Sequence, residues 1–228
     1  MIKKITDYFS KGELILWLSS VTLIIGCFLI FDRTNYITLI NSLIGATSLI
    51  FIAKGNPVGQ GLTIVFSLLY GYISYSCAYY GEMFTYLGMT APMAVISLIS
   101  WLKNPYQDSK SEVQVNRLKH SEIVFAFALS AVVMVVFYFI LKAFNTANLL
   151  ISTLSVFTSF LAVYLTFRRS SYYALAYATN DIVLIIMWSL AIIKDISYIS
   201  VVICFVMFLA NDLYGFYNWN RMYRRQSV

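Results

Sequence analysis

Eight apolar runs separated by short polar stretches pattern the chain from end to end, at 14–31, 37–53, 61–80, 84–102, 122–141, 148–167, 172–193 and 196–220. Each comes near the ~20 residues that a helix needs to cross ~30 Å of hydrocarbon. None shows the strict alternation of a barrel strand, and helices and closed barrels are the only spanning structures that satisfy every backbone group. The pattern predicts an all-α membrane protein with about eight transmembrane helices. Run 37–53 is the shortest, and the charge pattern requires that it span.

Composition agrees. Of the 228 residues, 60% are hydrophobic and 11% charged, against about 45–50% and about 25% in a soluble domain. If every run crosses, 13 of the 16 Lys and Arg fall on one side, among them Lys3, Lys4, Lys11, Lys54, Lys103, Arg168, Arg169 and Arg225. Arg33, Lys142 and Lys194 fall on the other. Basic loops stay cytoplasmic, so both termini, the 103–121 loop and the Arg168-Arg169 turn are expected in the cytoplasm, in the cell membrane. The net charge of +6 is accounted for by topology and by anionic membrane lipid, without a nucleic-acid partner. Cys27, Cys77 and Cys204 lie in apolar runs without metal-ligand or redox spacing and read as packing residues. Run 14–31 has no Ala-x-Ala-like cleavage site and reads as a permanent first helix.

A weak internal repeat divides the chain. Thr47-Ser48-Leu49 aligns with Thr158-Ser159-Phe160, residues 81–86 align with 193–198, and the units end in Trp101 and Trp219. This predicts an N-terminal extra helix (1–36), a first three-helix bundle (37–102), a cytoplasmic loop and linking helix (103–147), and a second three-helix bundle with a basic C-terminus (148–228). The single linking helix makes the two bundles parallel.

Polar side chains inside membrane helices usually face a bundle interior or a water-filled cavity. Asn41, Asn180, Asp181, Asn211 and Asp212 are the informative ones, and the Asn-Asp dipeptide occurs in each of the last two runs. Asp181 sits roughly 14 Å into its helix, near the midplane. Tyr177 and Trp188 flank it on the same face. On the last helix Asn211, Tyr214 and Asn218 form a second stripe with Trp219 beside them, and Asp212 lies about 100° around from Asn211. Amides with aromatic faces suit a flat, polar heterocycle. The same residue types also serve as interfacial anchors, as for Trp17, Tyr217 and Trp219, and as interhelical glue, as for Asn211 and Asp181. In the third run Ser67, Tyr70, Gly71 and Ser74 share one face, where the small residues suit close packing and Tyr70 a pore lining. Pro92 frees a mid-helix carbonyl in run 84–102 and predicts a kink or a local polar contact there.

At Trp101-Leu-Lys-Asn-Pro105, Glu112-Val-Gln-Val-Asn-Arg-Leu118 and Asn211-Asp-Leu-Tyr214-Gly-Phe-Tyr-Asn-Trp219, the chain resembles the PnuC family of vitamin transporters, over roughly residues 37 to 221. The resemblance implies two three-helix bundles joined by one helix, similar to SWEET sugar transporters, and a homotrimer. It also implies facilitated diffusion of nicotinamide riboside, trapped inside by phosphorylation. By residue it carries over to Asn211, Tyr214 and Trp219. Many relatives have a tryptophan pair where this chain has Ala174 and Tyr177, so thiamine, riboflavin and deoxynucleosides stand beside nicotinamide riboside as substrates. Two other classes stay open, a membrane-embedded enzyme and a non-transporting receptor subunit. Without a HExxH helix, a GxSxG elbow or a Walker A motif, the sequence implies no enzyme, metal or cofactor. Asp181 and Asp212 form an aspartyl pair only if their helices bring them together.

Overall fold

The computed structural model describes residues 8–76, 79–107, 109–146, 148–193 and 195–227; Lys3, Lys4, Cys77 and Lys194 lie outside them. Its helices are α1 (Lys11–Phe31), α2 (Tyr36–Ala53), α3 (Pro57–Ser76), α4 (Tyr80–Thr85), α5 (Ala91–Lys103), α6 (His120–Ala143), α7 (Leu149–Phe167), α8 (Tyr173–Ile192) and α9 (Ile199–Arg225). Among the described residues, seven helical segments are long and apolar enough to cross a bilayer, counting Tyr80–Lys103 and Ile196–Arg225 as one each. The 20-residue α3 is as long but more polar, because Gln60, Ser67, Tyr70 and Ser74 lie along a buried face.

Hydrogen bonds show that the segments alternate in direction. At one end the 105–116 segment is laced across the turns: Val113 N–H donates to Gly55 O, Gln114 to Asn104 O and Asn116 to Arg169 O, each at 2.9 Å. The same segment meets the end of α9, where Val115 N–H donates to Gln226 Oε1 at 2.7 Å. At the opposite end Asp32 and Asn35 share a cavity with Ser197 and Tyr198, and Tyr79 packs on Tyr198. Short α2 thus runs from one end to the other, as does α3.

Polarity is arranged inside out relative to a soluble protein. Lipid is as apolar as Leu, so close association favours small residues at helix contacts. Accordingly α7 buries Ser152, Ser155, Thr158, Ser159, Ala162 and Thr166. On α6, Val124, Phe127, Val132 and Phe139 are exposed, and on α1 Ile15, Leu18 and Ile30. Gly59 lets α3 reach α2, where a Cβ would stand 2.7 Å from Ile52 N and 2.9 Å from Ser48 O.

Helices α2 and α7 end alike. Gly55 (φ 68°) and Arg169 (φ 57°) turn left-handed, and the next residue bonds back, Asn56 N–H to Phe51 O and Ser170 N–H to Leu165 O. The penultimate carbonyl of each helix accepts the N–H of that left-handed residue and takes a tryptophan as its second donor. Trp219 Nε1 donates to Ile52 O at 2.8 Å, and Trp101 Nε1 donates to Thr166 O at 2.9 Å. The two indoles are fully buried with ring centres 5.4 Å apart.

Two features differ from the sequence expectation. The loop after α5 contains a two-stranded antiparallel hairpin, β1 (Pro105–Tyr106) with β2 (Ser109–Val113), too short to carry a periodic signal. Run 84–102 contains a π-helical turn, Tyr86–Thr90, closed by Ala91 N–H to Tyr86 O. Pro92 follows at the start of α5. A proline contributes no N–H and crowds the preceding turn, so the helix widens just before it. That widened turn carries Tyr86 in the core, at 7% exposure.

Candidate functional site

Among the described residues, two cavities of about 60 Å³ each lie within the bundle, beside a smaller one at Glu82. At ~10–15 Å³ per water position, each of these two has room for a few waters as closed here, so a vitamin-sized ligand enters only when the surrounding helices move apart. Phe66 and Phe205 line both cavities, and with Tyr70, Tyr86 and Phe208 they form an aromatic layer. Phe66 contacts Tyr70, Tyr86 and Phe208 at centroid distances of 5.7, 6.0 and 5.7 Å. Tyr70 lies 4.3 Å from Tyr86, and Phe205 5.7 Å from Phe208. Gly45 makes room for the layer, since a Cβ there would fall 2.4 Å from the Phe208 ring and 2.9 Å from Phe66.

The inner cavity is on the side of the layer nearer the 105–116 segment. Tyr177, Asn180 and Asp181 from α8 meet Asp212 from α9 there, with Ser48, Thr63 and Ser159 from α2, α3 and α7. Asn180 Oδ1 accepts from Thr158 Oγ1 at 2.8 Å and from Ser159 Oγ at 2.9 Å. With its oxygen occupied, the amide offers its NH2 group to the cavity. Asp181 and Asp212 are each 3% exposed and line the same cavity. Asp181 Oδ2 has no hydrogen-bond partner. The two Asn-Asp helices therefore converge into a carboxyl pair.

The outer cavity, on the Asp32 side, is lined by Asn35, Asn41, Ser42, Tyr70, Trp188 and Cys204 among others. Trp188 Nε1 donates to Tyr70 Oη at 3.1 Å, tying α8 to α3 and fixing Tyr70 in the layer. Tyr177, Asp181 and Trp188 thus do share a face of α8, which runs alongside both cavities, but Trp188 belongs to the outer one. Neither lining contains Lys, Arg or His among the described residues.

The structure places Asn211, Tyr214 and Trp219 outside both linings. Asn211 Nδ2 donates to Ser20 Oγ on α1 at 3.0 Å and to Met207 O at 2.7 Å. Tyr214 Oη donates to Glu13 Oε1 at 2.8 Å, and Asn218 Nδ2 to Ala53 O at 2.8 Å. Glu13 also pairs with Lys54 at 3.2 Å, in a wider cleft at the 105–116 end. Trp219 packs on Trp101 and Tyr173. This stripe of α9 holds α1 and α2, while the side bearing Phe205, Phe208 and Asp212 faces the cavities. Sequence reasoning left Asp212 outside the site set because its angular offset from Asn211 set it apart; the same offset points it at Asp181. Phe66, Tyr86 and Phe208 carried no signal among 17 Phe and 18 Tyr.

Comparison with known proteins agrees with this architecture. A family profile described as nicotinamide mononucleotide transporter matches residues 35–221. The nicotinamide riboside transporter PnuC of Neisseria mucosa is 25% identical over 203 residues, covering 87% of this chain and 77% of the relative. The protein of the same name from Haemophilus influenzae is 21% identical over 194 residues, covering 85% and 83%. The crystal structure of the vitamin B3 transporter PnuC superposes with a TM-score of 0.84 at 21% identity, covering 96% of this chain and 94% of that one. That coverage takes in α1 as well as the region the profile matches. With the profile spanning most of the sequence, from α2 to the last turns of α9, the chain belongs to the nicotinamide mononucleotide transporter family.

Proposed function

We propose that this chain takes up nicotinamide riboside across the cell membrane by facilitated diffusion, the vitamin being trapped inside by phosphorylation. The carrying observation is the charge of the cavity linings: three carboxylates, Asp32, Asp181 and Asp212, and, among the described residues, no basic one. A phosphorylated nucleotide would meet only like charge there, whereas the unphosphorylated nucleoside brings a flat amide-bearing ring to Asn180, Tyr177 and the aromatic layer. Tyr70 and Trp188 contact it on the outer side. Asn211, Tyr214 and Trp219 act as positioning residues that hold α9 against α1 and α2. In this reading both termini are cytoplasmic, the two three-helix bundles rock about the layer, and the chain works as a homotrimer in lipid.

The test is equilibrium binding to purified protein of nicotinamide riboside, its mononucleotide, thiamine, riboflavin and a deoxynucleoside. Nicotinamide riboside should bind and the mononucleotide should not; preference for the mononucleotide sinks the reading. The convergence of Asp181 and Asp212 also favours a second reading, an intramembrane aspartyl hydrolase. Recovery of nicotinamide riboside unchanged after incubation, together with its uptake into liposomes, separates a carrier from that enzyme.

A further inference from the structure

Among the described residues, the cavity that holds the carboxyl pair has no cationic side chain in its lining. The titratable groups that line the cavity with the pair are Tyr86 from the π turn and Tyr173 and Tyr177 from α8. The elements α2, α3 and α7 contribute Ser48, Thr63 and Ser159, which do not titrate. Two buried carboxylates that share one small, water-poor cavity disfavour each other's ionisation, so the pair holds one proton and a single negative charge. Asp181 Oδ2, buried and unpartnered, lines the cavity. The rings of Phe66, Tyr86, Tyr177 and Phe208 line it too, and aromatic faces attract cations.

We propose that the inner cavity selects a monocationic aromatic heterocycle, and that binding one displaces the proton that Asp181 and Asp212 share. The heterocycle enters with its positive charge, both carboxylates ionise, and one proton leaves to solvent. No covalent bond forms, and the loaded site carries the same net charge as the empty one. The inference rests on the proposed substrate class. It admits the pyridinium of nicotinamide riboside and the thiazolium of thiamine and disfavours riboflavin and deoxynucleosides, which are neutral. The proton released on loading returns on unloading, so with equal pH on both faces transport still ends at equal concentrations.

The experiment uses the full chain in detergent and weak buffer, with a pH indicator, titrated with nicotinamide riboside, thiamine and 1,4-dihydronicotinamide riboside, which keeps the shape of the first and lacks its charge. About one proton should appear per nicotinamide riboside bound, and over the range where the pair is protonated the affinity should rise with a slope of about one log unit per pH unit. The dihydro compound should release no proton and bind at least about tenfold more weakly. Asp181→Asn and Asp212→Asn should each bind the cation without proton release while eluting in gel filtration like the parent. If either variant fails to fold, the proton count and the dihydro comparison on the parent protein decide. Binding of nicotinamide riboside without proton release, or equal binding of the dihydro compound, overturns this inference and leaves the proposed function standing. Failure of both cations to bind overturns the two together.

Discussion

Asn180→Ala and Trp219→Phe separate the ligand site from the helix contacts that frame it. Asn180 has its oxygen engaged by Thr158 and Ser159. Its loss leaves neither hydroxyl stranded, since Thr158 Oγ1 also reaches Leu154 O and Ser155 O, and a serine in a helix can turn to a carbonyl of the preceding turn. Folding should therefore change little. The ligand loses a donor in a cavity where few waters replace it, at a cost of about 1–3 kcal/mol, or roughly five- to 150-fold in affinity. Trp219→Phe keeps an aromatic ring against Trp101 and Tyr173 but removes the donor to Ile52 O. Interhelical hydrogen bonds in membranes average about 0.6 kcal/mol and reach about 1.7. At ~2–4 °C per kcal/mol for a chain of this size, the melting temperature should fall by a few degrees. Isothermal titration with nicotinamide riboside and a thermal-shift curve on the same samples measure both. Asn180→Ala should lose affinity at parental stability, and Trp219→Phe should lose stability at near-parental affinity. The reverse outcome, a stable Trp219→Phe that no longer binds beside an Asn180→Ala that does, would refute the assignment of the ligand to the inner cavity.

Three further predictions follow from the topology and the aromatic layer. Cysteines introduced at Ser109 and Ser227 should be shielded from an impermeant thiol reagent in intact cells and one at Thr34 labelled; labelling of Ser109→Cys from outside reverses the orientation. Uptake into liposomes at equal pH should stop at equal concentrations and ignore an imposed sodium gradient, and sodium-driven accumulation would exclude facilitated diffusion. Gly45→Ala drives a methyl group to within 2.4 Å of the Phe208 ring, so it should slow uptake severalfold while the protein stays folded; parental uptake would place the aromatic layer off the pathway.

Much of the architecture is legible in the sequence because the bilayer imposes one length on every crossing element. Runs near 20 residues and a one-sided distribution of Lys and Arg suffice to predict helices and an alternating path, and the order of three short motifs suffices to place the chain in its family. Which polar residues meet is another matter. A helix that is apolar nearly all round shows no face, so periodicity does not say which side of α9 looks inward. The side with Asn211, Tyr214 and Asn218 reads as a binding stripe, yet α1 and α2 occupy it. Asp212, one residue along, is turned about 100° and lands in the same cavity as Asp181. Tyr86 enters the aromatic layer only because a π turn before Pro92 widens its helix. These pairings depend on which helices approach and at what rotation, and that is decided by small residues such as Gly45 and Gly59 permitting contact between segments far apart in the chain.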